Sequence, residues 1–129
     1  MSRKFPLIWA LVLLLACAAF SNAWGQSAKQ KREAVYQAAL QSYSDALKPG
    51  MTRKNVEDYF RSKGIAFQQL CCIFKESAFA DLVKIGKEKH PWYCSEHNVY
   101  VAFRFTAVKP DESETLKTIT VFHRLEGCL

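Results

Sequence analysis

The sequence predicts an α+β fold, with two N-terminal helices packed on an antiparallel sheet of three to four strands. Three observations predict it. Apolar residues recur at helical spacing over residues 28–47, a second helix start comes at Thr52, and beyond Gly64 the pattern changes to the two-residue alternation of strands. Helices at one end of the chain and strands at the other are the pattern of a two-layer sandwich.

Residues 1–25 read as a signal peptide. Arg3 and Lys4 form a basic start, residues 7–15 an apolar centre, and Ser21-Asn22-Ala23 or Ala23-Trp24-Gly25 a small-residue cleavage site. Export to the periplasm or cell envelope is therefore expected. Retention as an anchor is a competing reading, but the apolar run 5–20 is shorter than the about 20 residues a spanning helix needs. Leu14-Leu15-Ala16-Cys17 also resembles a lipoprotein box, in which Cys17 would be acylated, although Leu15 is bulky for its position.

Residues 26–129 amount to one domain's worth of chain. The formal charge of +6 falls to +4 once Arg3 and Lys4 depart. That balance does not suit nucleic-acid binding; it fits solvated basic faces, with attraction to an anionic membrane surface as the functional alternative.

The first helix carries two neighbouring stripes, one of Val35, Ala39, Ser42 or Tyr43, and Ala46, the other of Tyr36, Leu40, Tyr43 and Leu47. Pro49-Gly50 ends it, since proline cannot continue the ladder and glycine accepts a left-handed turn. Thr52 is a good N-cap for the second helix, with Met51 placed to staple onto Val56; Val56, Tyr59 and Phe60 share a face, and Gly64 closes the helix at Lys63. Glu57 and Asp58, consecutive and therefore about 100° apart, read as a solvated face.

Residues 65–74 and 79–85 are apolar-rich runs around Lys75-Glu76-Ser77, a predicted hairpin. Residues 98–108 alternate so that Val99, Val101, Phe103, Phe105 and Ala107 share the core face. Residues 116–125 place Ile119, Val121 and Leu125 on one side and Phe122 on the other. With residues 109–115 as a solvated turn, these strands pair antiparallel, and joining Val108 to Leu116 sets Val99 opposite Leu125. The segment 86–97 has no clear pattern.

Leu47-Lys48-Pro49-Gly50-Met51-Thr52-Arg53-Lys54-Asn55-Val56-Glu57, with an aromatic pair and Gly64 after it, resembles the helix-turn-helix start of the BamE-like (SmpA/OmlA) envelope domains. The resemblance implies two helices on an antiparallel sheet and a place in a bacterial envelope. The stretch around Trp92-Tyr93-Cys94-Ser95-Glu96-His97 resembles uncharacterised exported bacterial proteins and implies no activity. The mature cysteines do not belong to the BamE-like pattern.

Once Cys17 is cleaved, Cys71, Cys72, Cys94 and Cys128 remain, an even number suited to disulfides in an oxidising compartment. Cys71 and Cys72 would point to opposite faces of a strand, which favours separate partners. The hairpin, however, carries Cys94 and Cys128 to the same end, which favours a Cys94–Cys128 bridge and leaves a vicinal pair. Both arrangements stay open. Cys94-x-x-His97 with Cys71, Cys72, His90 and Cys128 offers zinc-type ligands, but paired Cys-x-x-Cys motifs are missing. His123 reads as a surface or packed strand residue.

There is no Gly-x-Ser-x-Gly elbow, no phosphate-cradling loop and no Cys-x-x-Cys motif. The expectation is a non-enzymatic exported module that binds another envelope protein, without metal, cofactor or small-molecule substrate. A secreted inhibitor-like module, or a thiol- or metal-dependent enzyme using Cys71, Cys72 and Cys94, is the alternative. Trp92 and Tyr93 are the candidate recognition surface, because both residue types anchor interfaces. The competing reading has Trp92 cover an open end of the sheet.

Overall fold

A computed structural model describes residues 27–74, 77–106 and 113–129. Helices α1 (Ala28–Ala46) and α2 (Arg53–Ser62) precede strands β1 (Gln68–Phe74), β2 (Ser77–Lys87), β3 (Glu96–Thr106) and β4 (Thr115–Glu126). The strands form one antiparallel sheet in sequence order, a meander, so the class is α+β. The signal peptide and Cys17 expected from the sequence lie outside the described residues, as do Lys75, Glu76 and most of the 109–115 turn. No helix among the described residues is long and apolar enough to cross a membrane.

Val35–Leu129 is one compact unit. The unit that ends at Ala34 is described from Ser27, the opening turns of α1, where the Ser27 hydroxyl accepts from the Gln30 amide.

Of the two stripes on α1, the second faces the core. Tyr36 and Leu47 are buried and Leu40 and Tyr43 pack against the core cluster, whereas Val35 is 61% exposed. Periodicity alone cannot choose between stripes one residue apart; Tyr36, which only the second contains, does, since its ring meets His123 edge-on at 6.1 Å. Helix α2 obeys its sequence signals closely. Thr52 is the N-cap and accepts from the Asn55 amide, Lys63 is the C-cap, and Gly64 adopts φ +66°. Val56 and Phe60 are fully buried against Val83, Val101, Phe103, Phe105 and Leu116.

The 49–52 turn is also stitched to the sheet. Gly50 N–H donates to Leu116 O at 2.8 Å, Leu116 N–H to Met51 O at 2.7 Å, and Thr52 bridges Thr115. The turn thus fixes where β4 begins as well as where α2 begins.

Two expectations about the strands are corrected. First, β3 is buried on both faces. Val101, Phe103 and Phe105 join the cluster that holds α2, while Tyr100 and Ala102 join Ala80 and Leu82 in a second cluster on the opposite face, edged by Leu70, Ile73, Phe74 and Phe122. Second, the β3–β4 register differs by two residues: Val99 faces His123, and Leu125 faces His97. The last pair is Thr106 with Thr115, and an irregularity between Arg104 and Phe105 shifts the ladder, so the connection is longer than a tight turn. Segment 86–97 resolves into the end of β2, a loop over residues 88–95, and the start of β3.

Candidate interaction surface and the cysteine bridges

All four cysteines among the described residues are in disulfides, Cys94 with Cys128 and Cys71 with Cys72. None keeps a free thiol, and no group of three or more His, Cys, Asp or Glu among the described residues is placed to hold a metal ion.

The Cys94–Cys128 bridge lies where the β3–β4 ladder would continue past Glu96 and Glu126. Backbone bonds flank it: Ser95 N–H reaches Glu126 O at 3.0 Å, and Leu129 N–H reaches Tyr93 O at 2.9 Å. Cys94 N–H closes a turn onto Pro91 O at 3.1 Å. Gly127 adopts φ +59°, which favours glycine, and a side chain there would have to displace the Ser95 hydroxyl.

On this braced loop stand the predicted recognition residues. Trp92 is 87% exposed and Tyr93 44%, their rings edge-to-face at 5.8 Å. Trp92 therefore does not cover the sheet. The C-terminal Leu129, bonded to Tyr93 and fully exposed, does not stand out in the sequence; only the register that brings residues 93 and 129 together reveals it. Large apolar groups held outward on a covalently fixed loop are poor for solubility and good for contact.

The histidines separate. His90 bonds Pro91 O beside the loop. His97 and His123 pair across β3 and β4: the His97 ring nitrogen Nδ1 donates to Lys89 O at 3.1 Å, so its Nε2 accepts from His123 Nδ1 at 3.3 Å when both rings are neutral. The His123 ring also meets Tyr36 edge-on at 6.1 Å, and Tyr36 OH donates to Glu88 at 3.0 Å. Of the zinc-type ligands weighed in the sequence, the four cysteines are in bridges, His97 pairs with His123, and His90 stands on the loop.

A cavity of about 340 Å³ opens beside Gln68, Leu82, Lys84, Glu96, Asn98 and Tyr100. Its polar wall is largely self-satisfied. Asn98 Nδ2 donates to Glu96 at 2.6 Å and Glu126 at 2.8 Å, and Tyr100 OH donates to Glu126 at 2.9 Å. The Asn98 hydrogen bond, then Lys87, hold Glu96 below the ordinary carboxylate range; burial, then Glu126, push Tyr100 up.

A second polar cluster corrects the reading of Glu57 and Asp58 as one solvated face. Asp58 is exposed and its carboxyl is held down chiefly by a hydrogen bond from Lys54. Glu57 is buried, accepting from Gln69 at 2.8 Å and Arg61 at 3.3 Å. Beside it, Arg53 donates to Asp81 at 2.8 Å, Glu114 at 2.6 Å and Phe79 O at 3.0 Å, with its guanidinium 4.1 Å over the Phe105 ring. One guanidinium serves three carboxylates, and Asp81 is completely buried. Burial, reinforced by Glu57 and only partly offset by Arg53, raises Asp81 to about 7. The signal in the sequence is Asp81 itself, one acid inside an apolar strand.

No family model, curated protein or solved structure matches this chain.

Proposed function

We propose that this chain is an exported, non-enzymatic domain of the cell envelope that binds another envelope protein through Trp92, Tyr93 and Leu129. The observation that carries the reading is Trp92, 87% exposed on a loop tied down by Cys94–Cys128. Rigid aromatic groups contribute contact area at small entropic cost, which is why they anchor interfaces. Two disulfides fit an oxidising, exported environment. In the same proposal the two helices pack on the sheet in the BamE-like manner, supported by the Thr52 cap and the Gly50-Met51 turn stitched to β4.

The test compares wild type with Trp92→Ala in co-purification from solubilised envelopes. The reading expects a stoichiometric partner that the variant loses while its thermal unfolding is unchanged. A monomeric protein without partner in both forms would count against it. Trp and Tyr are also favoured at membrane interfaces, and exposed Lys89 and His90 lie next to them in sequence. Flotation with anionic vesicles distinguishes that second reading, because only there would Trp92→Ala release the protein from lipid.

A further inference from the structure

The second bridge invites a different question, because joining neighbours does little for the fold. In the chain-entropy account a disulfide stabilises by closing a loop in the unfolded state, and adjacent residues close none. Cys71–Cys72 has a sequence separation of 1, against 34 for Cys94–Cys128. It lies on β1, which among the described residues has a strand neighbour on one side only, and both cysteines are exposed. It also occupies a distorted place. Cys72 has φ +65°, the one positive φ at a non-glycine among the described residues, and the ladder to β2 skips from Cys71–Phe79 to Phe74–Ser77, leaving an extra residue in β1. The expected opposite-face arrangement of the two cysteines fails because the left-handed residue breaks the alternation. A costly backbone, an exposed bond and no loop to close point away from a structural staple.

We propose that Cys71–Cys72 is a thiol–disulfide exchange site that accepts electrons from a dithiol, and that its reduction reshapes the β1 bulge. A thiolate of the dithiol attacks one sulfur; the S–S bond breaks and the other cysteine leaves as a thiolate. The second thiol of the donor gives up its proton and attacks the mixed disulfide, which forms the donor's disulfide and releases the remaining cysteine. Two electrons and two protons pass to Cys71 and Cys72. With the bridge open, Cys72 is free to return to the extended region, which shifts Ile73 and Phe74. The ring of Phe74 lies 4.3 Å beneath the Arg104 guanidinium and 5.5 Å from Phe122, so the change is felt on the second apolar face of the sheet.

The experiment equilibrates the native protein with mixtures of reduced and oxidised dithiothreitol, traps thiols by alkylation, and maps them by peptide mass, with amide exchange measured in parallel. The proposal expects Cys71 and Cys72 to be alkylated at a dithiol-to-disulfide ratio at least a hundredfold lower than Cys94 and Cys128. It also expects exchange in β1 and its β2 partner to change while the rest of the sheet stays protected. The Cys71→Ser/Cys72→Ser variant should show the reduced-state exchange pattern at every ratio. Simultaneous reduction of both bridges, reduction of Cys94–Cys128 first, or opening of Cys71–Cys72 without a change in exchange would each overturn it.

Discussion

The two ends of the sheet are held by different physics. At one, Cys94–Cys128 ties residues 128–129 to the loop before β3, and the most exposed aromatic group among the described residues stands on that covalent brace. At the other, the β1–β2 hairpin carries a bridge between neighbours, and Arg53, Asp81 and Glu57 bind it to α2 through charge. The first end is closed by a bridge that spans 34 residues; the second holds a buried carboxyl raised to about 7 and a bridge that closes no loop. One fold thus combines a covalently braced aromatic loop with an edge held by charge.

The difference can be broken at its strongest point first. Replacing Cys94 and Cys128 together by Ser should cost about 4 kcal/mol, the loop-entropy value for a 34-residue separation, measured by urea unfolding. Next is Arg53→Met. It strands the fully buried Asp81 without its cation, Glu57 keeping Arg61, and should cost roughly 3 kcal/mol at neutral pH. At pH 4 the loss should be smaller, because a protonated Asp81 no longer needs a counter-charge.

The same cluster makes a prediction about pH alone. Asp81 is raised to about 7 in the folded protein, whereas its unfolded value is the ordinary 3.8. Between those values the folded chain holds a proton that the unfolded chain has released. This contribution to stability is therefore complete below about pH 4 and lost as pH climbs through about 7. Unfolding free energies between pH 5 and 8 should fall for wild type and stay level for Asp81→Asn. The smallest effect belongs to the vicinal pair: Cys71→Ser/Cys72→Ser should not lower stability and should raise it by about 1 kcal/mol as Cys72 leaves its left-handed backbone, against the large loss at the other bridge.

Legibility in the sequence tracks the range of the interactions. Local signals read true: the Thr52 cap, the Gly64 stop, the alternation of β3 and β4, and the hairpin around residues 75–77. Each is decided within a few residues. The inward stripe of α1 is not, since Val35 and Tyr36 differ in direction by one residue and only Gly86 makes room for the Tyr36 ring. The β3–β4 register escapes the sequence because the closing pair is Thr106 with Thr115 rather than Val108 with Leu116, and neither this nor the irregularity at Arg104–Phe105 leaves a mark in hydropathy. Trp92 and Tyr93 are visible by residue type, but Leu129 needs the disulfide to place it. The Arg53 cluster gathers residues from α2, β2 and the segment before β4, a meeting that no single window contains.

The central claim is that the braced aromatic loop is a contact surface. A benzophenone photo-crosslinker at position 90, irradiated in intact cells that export the protein, tests it most directly. The account predicts one discrete adduct that disappears with Trp92→Ala and with loss of the Cys94–Cys128 bridge. No adduct, or one unaffected by both changes, would contradict it.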